Sequence, residues 1–215
     1  ARVAANTNGA IAVASTSSVY YSADNAATWS EKLITGYMGG TSGTIAVPAF
    51  IARSNGDFLL SLTTYDQAGN GYYAGKLYRI GSNGVPTSIG GVATTFKSLV
   101  EDRNAKLYGV EETLDQISGT FRVATYQSAD ATTWTAMPSG TIVGASYNTS
   151  NRYVRVSSNT ELRMGTTGGS ENAARTLRGF SSTNNMIARL MFAPDNRLYM
   201  TSMTGGLFAT AAALQ

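Results

Sequence analysis

The chain has 215 residues, of which 43% are hydrophobic and only 13% charged, with a formal net charge of +3. It contains no cysteine and no histidine, which excludes disulfides, thiolate and imidazole metal sites, and every catalytic scheme with histidine as base. Twelve Arg and four Lys form no basic run and no stretch approaches the roughly 18 apolar residues of a membrane span, so no nucleic-acid partner, membrane insertion, metal or cofactor is expected.

The start, ARVAANTNG, carries neither an initiator Met nor a signal-peptide pattern, and a processed or excised product is expected. Ser, Thr, Asn, Gly and Ala fill the space left by the missing charges, a composition suited to short strands and tight turns. Five segments then share one layout: an apolar run, a polar turn around an Asn, and an alternating apolar strand. They read VAANTNGAIAV (3–13), FIARSNGDFLLSL (50–62), LVEDRNAKLYGV (99–110), ASYNTSNRYVRV (145–156) and LMFAPDNRLYM (190–200). The aligned residues Asn8, Asn55, Asn104, Asn151 and Asn196 stand 47, 49, 47 and 45 positions apart.

Each segment has the chemistry of a β-hairpin, with Asn supplying φ > 0 at the bend. A third strand follows in every repeat: SVYYSA (18–23), GKLYRIG (75–81), FRVATYQS (121–128), TELRMGT (160–166) and GGLFAT (205–210). A fourth follows in the first four repeats, in TWSEKL, VPTSIG, TTWTAM and AARTLR. Four antiparallel strands in every 45–50 residues predict propeller blades. The expected fold is therefore an all-β, five-bladed β-propeller forming a single domain, with blades near 1–36, 45–91, 95–138, 142–179 and 186–215. Only 19 residues follow Asn196, so the last blade is expected to lack a full outer strand and to leave an edge for a neighbouring chain or domain, or for a tail that pairs briefly.

Residues 22–29 read SADNAATW and residues 128–134 read SADATTW, both at the turn between the third and fourth strands of a repeat. Ser22-x-Asp24-x-x-x-Thr28-Trp29 resembles the Asp-box, S-x-D-x-G-x-T-W, of sialidase-type (BNR-repeat) propellers. Ala26 stands where that family prefers Gly, and the copy Ser128-x-Asp130-x-x-Thr133-Trp134 is one residue shorter. GSNGVPTS (81–88) and GTTGGSENAART (165–176) hold the same place without Asp or Trp. The resemblance implies a scaffold role for Ser22, Asp24, Trp29, Ser128, Asp130 and Trp134 on the face away from any active site. Their physics agrees: short acceptors close a turn on its own N–H groups, and a Trp staples the outer hairpin.

Function is expected on the opposite face, in the loops between second and third strands and between blades. The loop TTYDQAGNGYYAG (63–75) offers Tyr65, Asp66, Gln67, Asn70, Tyr72 and Tyr73 as a recognition set, and the acidic EETLDQISG (111–119) adds Asp115 and Gln116. TGYMGGTSG (35–43) and RGFSSTNN (178–185) are the inter-blade loops. The carboxylates Glu101, Asp102, Glu111 and Glu112 form no convergent pair on this reading, and Arg53 and Arg189 form no arginine triad of the sialidase kind. Asn148-Thr149-Ser150 fits a glycosylation sequon.

The reading that results is a non-catalytic propeller module that binds a surface glycan or protein partner. Its composition is similar to that of phage tail and receptor-binding proteins, which places it at an extracellular or virion surface. A propeller glycosidase and a purely architectural propeller are the alternatives.

Overall fold

The computed structural model describes residues 1–35, 43–66, 71–90, 96–115, 119–177, 180 and 187–214. It is all-β, with five consecutive antiparallel sheets and no helix among these residues, and its fold class is the five-bladed β-propeller. The first blade is β1 (Arg2–Ala5), β2 (Ile11–Ala14), β3 (Ser18–Ser22) and β4 (Ser30–Leu33); the second is β5 (Gly43–Ala52), β6 (Phe58–Asp66), β7 (Gly71–Ile80) and β8 (Pro86–Ser88). The third is β9 (Phe96–Glu101), β10 (Leu107–Asp115), β11 (Thr120–Ser128) and β12 (Thr135–Ala136). The fourth is β13 (Ser146–Tyr147), β14 (Tyr153–Ser158), β15 (Glu161–Gly165) and β16 (Arg175–Thr176), and the fifth is β17 (Ile187–Phe192), β18 (Leu198–Ser202) and β19 (Leu207–Ala209). Strand order within every sheet follows the chain, as in a meander.

Among the described residues the last blade has three strands and no outer fourth. Its tail bonds back to the blade's own second strand and first turn, through Thr210 N to Leu198 O at 3.0 Å and Leu214 N to Asn196 O at 2.9 Å.

The chain divides into two compact units, residues 1–99 with 107–140, and residues 100–106 with 141–215. In the first unit, Ala12, Ala14, Val19 and Tyr21 of blade one pack on Phe58, Leu60, Leu62, Tyr78 and Ile80 of blade two. The other face of blade two sets Leu59 and Leu77 against Phe96, Leu99 and Leu107. Blade two is thus covered on both sides, which is why β6 opens with the consecutive apolar residues Phe58, Leu59 and Leu60. Blade one turns one face to blade two, and its first two strands alternate between more and less buried positions. In the second unit, Val154 and Leu162 of blade four pack on Phe192, Leu198 and Met200 of blade five, with Phe208 and Leu214 at the margin.

The asparagine ruler is correct in period but slips by one residue. The five hairpins close through the same backbone bond, from the fourth residue of the turn to the first: Gly9 to Asn6, Gly56 to Arg53, Ala105 to Asp102, Asn151 to Asn148 and Asn196 to Ala193. The φ > 0 position is that fourth residue, occupied by Gly9, Gly56, Ala105, Asn151 and Asn196. Asn151 and Asn196 therefore take the left-handed conformation themselves, whereas Asn8, Asn55 and Asn104 precede the residue that does.

Candidate functional site

The hairpin turns are tied by side chains as well as backbone. Asn6 Oδ1 accepts from Asn8 N and Ala10 N, both at 3.0 Å, and its Nδ2 donates to Gly56 O of the next blade at 2.7 Å. Asp102 and Asn148 repeat this closure in the second unit, each accepting from the residues two and four positions on. Asn196 links the turns of blades four and five, accepting from Thr149 N at 2.8 Å and donating to Thr149 Oγ1 at 2.6 Å. Asn148 has no exposed surface and donates to Leu214 O at 3.2 Å. Its place in the sequon therefore has no steric room for a glycan, and Asp102 is a turn-closing group rather than an acid or base aimed at a ligand.

The two SAD turns show what the missing residue does. In the first, Ala26 N donates to Ser22 Oγ at 2.9 Å, Thr28 N to Asp24 Oδ1 at 2.9 Å and Thr28 Oγ1 to Asp24 Oδ2 at 2.6 Å. Each backbone arc spans four residues, and Asn25 and Ala26 both sit at positive φ. In the second, Ala131 N donates to Ser128 Oγ at 2.9 Å and Thr133 N to Asp130 Oδ1 at 2.8 Å, arcs of three residues, with only Ala131 at positive φ. The deletion thus removes one left-handed residue and keeps both acceptors in use. Hydrogen bonds from Thr28 and Ser22 hold the Asp24 carboxyl down to about 2, and those from Thr132, Thr133 and Ser128 push Asp130 lower still.

The tryptophans differ. Trp134 lies 4.4 Å from Phe96 between ring centroids and donates Nε1–H to Ala131 O at 2.9 Å. Trp29 is 46% exposed and does not bury the area expected of a staple. The reason is local: blade three presents Phe96 to its tryptophan.

Blade four fills the same position with charge. Glu171, in the turn after β15, receives Arg155 Nε and Nη2 on its two oxygens at 2.6 Å each, and Tyr153 OH at 2.7 Å. The guanidinium holds the Glu171 carboxyl below the usual range, and burial with the carboxylate pushes the Tyr153 phenol up. Tyr153 is fully buried and both Glu171 oxygens are taken up by Arg155 and Tyr153, so this Tyr–Glu–Arg cluster acts as a strut. Residue spacing alone had left the turn as a trace without Asp or Trp. The signal was there in Glu171 and in the alternation of Tyr153 and Arg155 on one face of β14.

At the other ends of the strands, the expected loops are mostly strand. β6 continues to Asp66 and β7 begins at Gly71, with Tyr65 paired to Tyr72 and Asp66 to Gly71. β10 continues to Asp115 and β11 begins at Thr120, so Glu111 and Glu112 pair with Ala124 and Val123 inside the ladder instead of opening a loop. Hydrogen-bonded hairpins replace loose loops because TTYD, YY and ETL carry β-branched and aromatic residues that fit a pleated ladder. Gln67, Asn70 and Gln116 lie outside the described residues, as do 36–42 of the first inter-blade loop and most of the second. Tyr65, Asp66, Tyr72, Tyr73 and Asp115 are placed by backbone alone. Glu112 accepts from Lys97 Nζ at 2.6 Å and Glu111 from Tyr126 OH at 3.1 Å. Among the described residues no group of three or more acidic side chains could hold a metal ion.

No protein-family model matches the chain, and no curated protein matches it. Solved structures do. A gluconolactonase from Xanthomonas campestris is 12% identical with a TM-score of 0.58, over 96% of this chain and 70% of that one. A luciferin-regenerating enzyme is 12% identical with a TM-score of 0.57, over 91% and 67%. The intramolecular trans-sialidase from Ruminococcus gnavus is 14% identical with a TM-score of 0.50, over 87% of this chain and 46% of its own. These likenesses show a shared fold. They also overturn the expectation of a non-catalytic chain, since proteins named as enzymes are built on the same fold.

Proposed function

We propose that this protein is a saccharide-directed propeller whose recognition surface is the pair of long hairpins in blades two and three. The observation that carries this reading is strand length. β6, β7, β10 and β11 have 9, 10, 9 and 9 residues, whereas the middle strands of the other blades have three to six. Three to four extra residues per strand extend these hairpins by roughly 10 Å. The sequence they carry, Tyr65 and Asp66 facing Gly71 and Tyr72 in register, is rich in flat amphipathic area and adaptable polar groups. The turns at the opposite ends are occupied in holding the blades together, which leaves the extensions as the variable part of the scaffold.

The carbohydrate class is supported by the names of two fold neighbours, a gluconolactonase and a trans-sialidase. Those names also favour the second reading, that the saccharide is turned over as well as held, as in a glycosidase. The turn of blade three acts in this account as an Asp-box staple, and that of blade one as an Asp-box turn closed by Ser22 and Asp24. The Ser/Thr/Asn/Gly-rich composition supports a setting at an extracellular or virion surface.

A glycan array tests the binding, with the same protein incubated alongside with sialosides, chromogenic glycosides and sugar lactones. Tyr65→Ala and Tyr72→Ala are expected to abolish the array signal at unchanged melting temperature, while Trp29→Ala retains it. A signal indifferent to both tyrosines removes the hairpins from the proposal, and a wild-type protein silent in every arm removes the saccharide.

A further inference from the structure

Blades two and three, both in the first compact unit, meet through Leu59 and Leu77 on one side and Phe96, Leu99 and Leu107 on the other. Side chains alternate along a strand, so the register gives the next positions on these two faces. On blade two the row Ala49–Ser61–Leu77 is followed by Ala46–Thr63–Gly75, and on blade three Gly109–Tyr126 is followed by Glu111–Ala124. Ser61 and Thr63 lie eight and ten residues beyond Arg53, the first residue of their hairpin turn, and Glu111 lies nine beyond Asp102 in the equivalent turn. The apolar contact thus gives way, at the foot of the long hairpins, to a polar layer at one level. Blade two supplies two hydroxyls to it, and blade three a carboxylate and a phenol.

Two members of this layer have bonding capacity to spare. Thr63 has no exposed surface, and among the described residues its Oγ1 has no hydrogen-bond partner, although nearly every buried hydroxyl keeps one. Its row neighbours Ala46 and Gly75 bring neither donor nor acceptor side chain. Glu111 is half-buried and accepts from Tyr126 OH at 3.1 Å, with no ion pair among the described residues. Glu112, on the opposite face, is taken by Lys97 at 2.6 Å, and Arg122, one row further out than Glu111, has its contacts elsewhere. Burial and the Glu111 carboxylate push the Tyr126 phenol up, so it stays a donor and leaves the second Glu111 oxygen for another.

We infer that this layer is a hydroxyl-recognition subsite for a neutral saccharide, with Glu111 accepting from the sugar hydroxyls and Thr63 as the buried partner at its inner end. The inference rests on the saccharide reading above and narrows it. Hydrogen bonds to an ionised acceptor are the stronger kind, so a carboxylate with a free oxygen holds a sugar hydroxyl well. The same charge, with no cation bonded to it, repels the carboxylate of a sialic or uronic acid, which is how one residue selects against acidic sugars.

Calorimetric titration with methyl glycosides of neutral hexoses, and in parallel with those of sialic and glucuronic acid, tests it. The wild type is expected to bind the neutral set in preference to the acidic one. Glu111→Gln keeps the shape and removes the charge; it is expected to weaken neutral binding by about ten- to a hundredfold and to erase the preference. Thr63→Val removes the hydroxyl at constant shape and is expected to weaken binding by about three- to tenfold. The melting temperature of the free Thr63→Val protein should hold or rise, because that hydroxyl has no partner in the fold; a hydroxyl with a structural role would lower it. Thr63→Ser keeps the donor and should bind as the wild type does. A wild type that binds neither set removes the saccharide reading and the subsite with it. Preference for the acidic set, or neutral binding unchanged by Glu111→Gln, leaves the saccharide reading standing and overturns the subsite. A Thr63→Val protein that binds as wild type, or that melts lower, overturns it as well.

Discussion

The turn at 22–29 and the turn at 128–134 use the same serine and aspartate acceptors, yet they join their blades differently. The longer one holds two left-handed residues and carries Trp29 half in solvent; the shorter one holds a single left-handed residue and seats Trp134 on Phe96. Blade four reaches the same end with a half-buried ion pair. What is common to these places is the need to close an outer hairpin, and the chemistry that meets it depends on what the neighbouring strand offers. A turn motif therefore reports where a hairpin closes, and says little about how much the closure stabilises.

Removing the aromatic should separate the two SAD turns most. Trp134→Ala removes a half-buried ring packed on Phe96 and is expected to cost about 3 kcal/mol, the low end for a large aromatic, read from denaturant midpoints. Glu171→Gln leaves Arg155 half-buried beside a neutral amide and is expected to cost about 3 kcal/mol by the same measurement, making the blade-four strut the equal of the tryptophan. A cost below about 1 kcal/mol in either case would mean that the turn is closed by backbone alone.

Acid should act on the two aspartates in one direction. Asp24 and Asp130 are both held below the free value, so their contribution is complete above pH of about 4 and is lost as pH falls toward about 2. The wild type should therefore lose more melting temperature between pH 5 and pH 2 than Asp24→Asn, and Asp130→Asn should keep the part of the loss that Asp24 and Glu171 carry. Equal losses in all three would remove the aspartates from the acid response.

The left-handed alanines make a smaller test. Ala26 has φ 70° and is exposed, so Ala26→Gly is expected to stabilise by about 1 kcal/mol. Ala131 has φ 68° but is 1% exposed in the cluster that includes Trp134, so Ala131→Gly gives up packing and gains nothing net. Trp29→Ala should be the mildest change, within about 0.5 kcal/mol of wild type. If it matched Trp134→Ala, the contrast between the two turns would be lost.

Much of the architecture was written along the chain. Five asparagine-centred turns at a period near 47, each followed by alternating strands, predict blades because a small sheet must stack to bury its faces. The candidate site was less legible. Tyr65 and Tyr72 were singled out as loop residues, whereas the chain pairs them in a ladder, since turn-rich composition at 67–70 masks the β-propensity of the residues around it.

Sequence alone determined the repeat, the number of blades and the identity of the turn acceptors, because hydrogen-bond closure and left-handed φ are local demands that specific residues meet. Tertiary structure decided which asparagine takes φ > 0, which tryptophan is covered and where Glu171 finds its arginine. Those outcomes depend on the strand that lies alongside, and a strand's neighbour is fixed by packing, not by the residues within the strand.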